Sequence, residues 1–257
     1  MMRIGALALL LFFLISHLPV HAELYGGPVR AASYESAGES QYKVGLTSDF
    51  REKGARGCDR FIRNNGEYGD YGEMLYSTLM NEEHIRKVLI DDRNGKINSD
   101  PVMNQVCPGF SKLSKEDRAR FWVWTMAAIA WDESKCNPNI RPKRGPNDTL
   151  IGIFQLEDRR SSRRWRGKLC DVASIRSVES QMKCALEIMR GQFECTPGAG
   201  SCHSSRGTYG PASLKSSYWE KLRGNKASST IKIRMAKFPG CKSNLATQSG
   251  SGRMRRR

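Results

Sequence analysis

Glu133 is the residue in this sequence best placed to do chemistry. It follows FWVWTMAAIAW, Phe121 to Trp131, an apolar run broken only by Thr125, and it is the middle member of Asp132-Glu133-Ser134. On a helix it shares a face with Ala130, Ile129, Met126 and Trp122, at offsets of three, four, seven and eleven residues. An acid on such a face near a helix C-terminus is disfavoured as an anion by desolvation and by the helix dipole, and both effects raise its pKa. A carboxyl that keeps its proton near neutral pH is a general acid, the group needed to protonate the leaving oxygen of a glycosidic bond. The alternative is an ordinary pairing of Glu133 with one of the many surface arginines.

Three further residues have types suited to holding a sugar. Gln155 lies in Ile151-Gly152-Ile153-Phe154-Gln155-Leu156, an amide amid apolar neighbours. It can bond a sugar hydroxyl or acetamido group, or it can cap a nearby backbone group. Gly152 in the same stretch permits close backbone approach. Trp165 is the one aromatic in the basic run from Asp158 to Lys168. That run is either a solvated face or the lining of a groove for an acidic polymer, with Trp165 stacked on a ring. Tyr218 precedes Trp219. A buried tyrosine hydroxyl seeks a partner, and a carboxyl across a cleft would serve; simple packing is the alternative.

The elements that must position these groups can be read from caps and breakers. Ser114-Lys115-Glu116-Asp117 has the form of an N-cap with an acid three residues on, and its two acids suit the positive helix end. No Pro or Gly interrupts the chain from there to Ser134, so the spacing predicts a helix, apolar all round and therefore inside a core. Three prolines and a glycine follow, in KCNPNIRPKRGPNDTL, which predicts an irregular loop forming one lip of a cleft. Tyr71 to Ile90 is expected to be an amphipathic helix. Ser177 caps a second, with Val178, Met182, Ala185, Met189 and Phe193 on its core stripe. Asp91 to Ile97 resembles part of a calcium loop, but Ile90 stands where the first ligand belongs and Pro101 where the closing Glu belongs, so a polar turn is expected. Pro101 to Ser111 reads as a connector.

The cysteines and the ends bound the compartment. All eight cysteines, Cys58, Cys107, Cys136, Cys170, Cys184, Cys195, Cys202 and Cys241, lie beyond the first 22 residues. An even number in an exported chain favours disulfides. Cys195 with Cys202, around a turn-rich stretch, and Cys170 with Cys184 are the natural pairs to expect. A nucleophile made of Cys136 and His203 is the competing use of a thiol. Only His84 and His203 lie beyond the first 22 residues, so no metal site and no cofactor is expected. Residues 1–22 read as a secretory signal peptide: Arg3, a short apolar core and the cleavage site Val20-His21-Ala22. Residues 23–55 read as an irregular arm, 56–242 as the folded domain and 243–257 as a basic disordered tail. The net charge is +16. In an exported protein that charge faces anionic envelope polymers rather than nucleic acid.

Ala130-Trp131-Asp132-Glu133-Ser134 followed by Gly152-Ile153-Phe154-Gln155-Leu156 resembles the lysozyme-like lytic transglycosylase family, in its SLT-type branch. That signature is a helix ending in Glu-Ser, a loop, and a Gly-x-x-Gln segment. The resemblance spans roughly residues 107–223. It implies an all-α or α-dominated α+β fold, a lysozyme-like single domain stapled by disulfides. It implies cleavage of peptidoglycan glycan strands between N-acetylmuramic acid and N-acetylglucosamine, with Glu133 as the one acid/base. Ser134, Gln155 and Tyr218 fall on the substrate side. The family pattern is not complete: Cys136 stands where an aromatic is usual, the loop to Gly152 is longer, and no Tyr-Asn-x-Gly occurs near the end. The expected protein is periplasmic or secreted, monomeric and without a membrane anchor. The alternatives are a hydrolytic lysozyme on the same fold, which usually needs a second carboxylate such as Asp148, Glu157 or Asp158, and a wall-binding protein without catalysis.

Overall fold

The structure is a computed structural model that describes residues 41–46, 50, 57–145, 148–163, 166–194, 218, 219, 222 and 230–242. Its centre is α4 (Lys115–Ser134). Ser114 caps it as the sequence predicts: Oγ accepts from the Asp117 amide at 3.1 Å and donates to the Asp117 carboxylate at 2.8 Å. Every residue from Ala119 to Trp131 is buried, so no face is left to water. The indole N–H groups inside find backbone acceptors, Trp122 at Leu89 O and Trp124 at Arg234 O. At the other end Lys135 and Cys136 adopt left-handed backbone, φ 55° and 59°, and the chain turns away.

Around α4 lie α1 (Asp70–Asn81), α2 (Glu83–Leu89), α3 (Pro101–Val106), α5 (Arg160–Arg163), α6 (Val178–Glu194) and α7 (Thr230–Ala236). α1 packs on α6 and on α4, and α7 packs along α4. The helix expected over residues 71–90 is two helices. Glu82 takes an extended backbone, ψ 98°, and breaks it, which lets Ile85, Val88 and Leu89 turn into the core. The stretch expected to be a connector contains α3, started by Asp100, whose carboxylate accepts from Val102 and Met103 N–H ahead of Pro101 at the first turn. Asp92 spends its carboxylate on the amides of Ile97 and Asn98, closing the turn that resembled a calcium loop. The core also takes in Leu46 and Phe50, which precede the domain start expected near Cys58.

The loop after α4 holds a small antiparallel meander, where irregular chain was expected. Its strands are β1 (Lys143–Arg144), β2 (Thr149–Ile151) and β3 (Leu156–Glu157), in that spatial order, with Leu150 opposite Lys143 on one side and Glu157 on the other. Pro138 and Pro142 lie outside these strands, so they cost no ladder bond. The result is an α-dominated domain with three disulfides among the described residues: Cys58–Cys136, Cys107–Cys241 and Cys170–Cys184. The last is a pairing the spacing suggested. The first removes Cys136 from any nucleophile role. Cys195, Cys202, His203, the signal segment and the tail lie outside the described residues.

Candidate active site

Glu133 occupies the last turn of α4 and is half-buried, between an inward-facing Ser134 and a partly covered Asp132. Asp132 accepts from the Thr230 hydroxyl at 2.8 Å, which ties α4 to the start of α7. The apolar body of the helix thus ends where the polar triplet begins, and the middle carboxyl of the three sits at the border of the core.

What faces this helix end is the β2–β3 hairpin. Its four-residue loop is Gly152-Ile153-Phe154-Gln155, the Gly-x-x-Gln segment of the sequence. The tip is inverted relative to an ordinary surface hairpin: Ile153 and Phe154 are fully buried. Burying a loop requires a partner for each backbone polar group, and the surrounding residues supply them. Ser134 Oγ lies 2.8 Å from Ile153 O and 3.0 Å from Ala130 O. The Ile153 amide donates to Gln181 Oε1 on α6 at 2.9 Å. Trp219 Nε1 donates to Phe154 O at 3.2 Å. Gly152 O accepts from both the amide and the side-chain Nε2 of Gln155. Gly152 has φ +70°, and a Cβ there would stand 2.1 Å from Gln181 Oε1, so only glycine fits.

Two of the sequence candidates therefore have backbone duties. The Ser134 hydroxyl is buried and fastens α4 to the hairpin. Gln155 is buried, with φ 51° in the left-handed region, and its Nε2 is held by Gly152 O. Its Oε1 has no hydrogen-bond partner among the described residues. A buried amide with its donor engaged and its carbonyl oxygen unmatched is an acceptor for an N–H or O–H brought by a ligand.

Tyr218 joins the same place from a distant part of the chain. Its hydroxyl oxygen accepts from the Glu157 amide at 3.3 Å, and its ring packs edge-on against Trp219. Burial pushes the phenol well above its usual range; the charges of Glu157 and, more weakly, Glu133 push the same way, while Arg166 opposes them. The charge of Glu133 is thus felt at this phenol, which stays protonated throughout the neutral range. Trp165 lies outside the described residues.

Sequence reasoning missed the role of Arg166. It belongs to the basic run, yet its side chain is 10% exposed and donates to Glu157 at 3.3 Å. Arg163 in the same run is also buried, held by Asp158 O and Cys170 O. No local pattern separates these two arginines from their exposed neighbours, because their carboxylate and carbonyl partners come from the fold. A concavity of about 550 Å³, lined by Asp59, Arg60, Arg63, Asn64 and Asp70 among others, lies at the start of α1 and does not include Glu133.

No protein-family model matches the chain, and no curated protein matches it. Among solved structures, a glutamate-to-glutamine mutant of Bd0314 DslA, a Bdellovibrio protein, is similar at a TM-score of 0.44 and 16% identity, over 67% of this chain and 91% of that one.

Proposed function

We propose that the chain cleaves the glycan strands of peptidoglycan as a lytic transglycosylase, with Glu133 as its one acid/base. The observation that carries this reading is the placement of Glu133: half-buried at the end of an all-buried helix, locked by Ser134 to the Gly152–Gln155 loop, with the Tyr218 phenol in its field. In this mechanism the protonated Glu133 carboxyl gives its proton to the glycosidic oxygen as the C1–O bond breaks. The carboxylate left behind takes the proton of the muramic C6 hydroxyl, whose oxygen closes on C1. The product is a 1,6-anhydro end, Glu133 regains its proton and no water is consumed. Gln155 Oε1 would accept from an acetamido N–H of the glycan.

The hydrolytic alternative wants a second carboxylate about 5 to 9.5 Å from the first and able to activate water or attack the sugar. Each sequence candidate for that place is engaged. Glu157 pairs with Arg166, Asp158 with Arg176, and Asp148 with Arg159 and its backbone amide. This supports the non-hydrolytic route. The three disulfides support an oxidising compartment, and no helix among the described residues is long and apolar enough to cross a membrane. An exported enzyme, whose net charge of +16 falls only by the +1 of Arg3 on loss of the first 22 residues, would be held near an anionic wall.

The test is Glu133→Gln on purified sacculi, with released fragments read by mass spectrometry. Wild type should release anhydro-ended muropeptides, and the variant should be slower by about a hundred- to ten-thousand-fold. Reducing ends would select hydrolysis instead. No release by wild type, or equal release by both proteins, would defeat the enzymatic reading.

A further inference from the structure

Arg166, Glu157 and Tyr218 close a ring of contacts that the mechanism above does not use. The Arg166 guanidinium carbon lies 4.4 Å from the centre of the Tyr218 ring. Its Nη2 donates to Glu157 Oε2 at 3.3 Å, and the two side chains are 10% and 8% exposed. The Glu157 amide in turn donates to the Tyr218 oxygen at 3.3 Å. Guanidinium meets carboxylate, the carboxylate's own backbone meets phenol, and phenol face meets guanidinium.

Stability is a poor explanation for this arrangement. Withdrawing two ions from water is costly, and an apolar pair of similar volume would hold the fold as well or better. Orientation is a better one. Arginine is the side chain that presents a flat face to a ring and an edge to a carboxylate at once, which lysine cannot do. β3 supplies the other half, because Glu157 sits in register beside Leu150, on the hairpin whose loop is bonded to Ser134. A phenol oxygen that accepts an amide proton directs its own proton along a different line.

We infer that Glu157 and Arg166 are a positioning pair, which fixes the plane of Tyr218 so that its hydroxyl donates a hydrogen bond to oxygen atoms at the Glu133 end of the cleft. This rests on the reading of the chain as a glycan-cleaving enzyme. Glu157 is then neither nucleophile nor base, and Arg166 is not a wall-binding cation despite its place in the basic run. Neither residue touches the reacting atoms. Both act through Tyr218.

The experiment uses the purified full chain, soluble glycan strands as substrate, and tyrosine labelled with carbon-13 at the ring carbon bearing oxygen. Tyr218→Phe assigns the Tyr218 resonance. The double variant Glu157→Gln with Arg166→Met removes both charges together, so no ion is left buried alone. It should melt within a few degrees of wild type, shift and broaden the Tyr218 resonance, and lower kcat by about tenfold or more with KM nearly unchanged. Arg166→Lys, which keeps the ion pair and loses the stacking plane, should recover part of kcat. A Tyr218 resonance identical in wild type and double variant overturns the inference whatever the activity. A shifted resonance with wild-type kcat overturns it as well. If wild type releases no fragments while the resonance shifts, the orienting role stands and the enzymatic reading falls.

Discussion

The acid/base proposed for this chain would have to sit between water and the core. Glu133 does so because it is the middle residue of a triplet whose neighbours point to either side. Ser134 turns inward and is buried, and Asp132 reaches Thr230 on α7. Ser134 is the clearest single-residue link between the acid and the rest of the site. Its hydroxyl satisfies Ile153 O, which no strand partner serves. Ser134→Ala should lower the unfolding free energy by about 1 to 2 kcal/mol, read from urea denaturation. Under the proposed function the loss should be matched by slower turnover, since the helix end would no longer be fastened to the loop that carries Gln155. Unchanged stability would mean that the bond to Ile153 O contributes little.

At the scale of elements, the site is made by a hairpin that buries its tip instead of exposing it. That needs a glycine at one end of the loop and a left-handed residue at the other, and Gly152 and Gln155 fill those places. Gly152→Ala would force a methyl into the Gln181 amide, which holds the Ile153 N–H. The variant should lose about 2 kcal/mol or more in chemical denaturation and, under the proposed function, nearly all wall cleavage. A variant as stable as wild type would show that the loop has room the structure does not display. The motif was legible as spacing, Glu-Ser and then Gly-x-x-Gln. The hairpin was not, because its strands are two and three residues long and too short for alternation to register. The break at Glu82 was equally hidden, since the apolar positions keep a helical spacing on both sides of it.

Across the whole molecule, disulfides and desolvated phenols set the conditions under which the fold survives. Cys58–Cys136 anchors the chain just past α4, two residues from Ser134, and Cys107–Cys241 closes a separation of 134 residues. Tyr68 and Tyr218 both have phenols pushed well above the ordinary 10.0, chiefly by burial. The folded protein therefore keeps two protons that the unfolded chain sheds from about pH 10 upward. Their contribution is complete below that pH and declines as pH rises further. Melting temperature should be level from pH 8 to 9.5 and fall steeply beyond 10, and Tyr68→Phe and Tyr218→Phe should each make the fall shallower. A wild-type profile that stays flat to pH 11 would contradict the desolvation of these phenols.

The sequence alone determined α4 from its cap at Ser114 to its end at Ser134, the acid at position 133, the core stripe of α6 and the bridge between Cys170 and Cys184. Each of these depends on neighbours within about twenty residues, where helix period, caps and loop length act directly. It also carried the motif whose resemblance names a chemistry. Tertiary structure alone decided that Tyr218 meets Glu157, that Arg166 leaves the basic run to pair beneath it, and that Leu46 and Phe50 join the core. It also brought in α7, whose Arg234 carbonyl receives the indole N–H of Trp124. A side chain's burial and its ion partner are set by segments far apart in the chain, and no local periodicity encodes which of several arginines in a row will find a buried carboxylate such as Glu157.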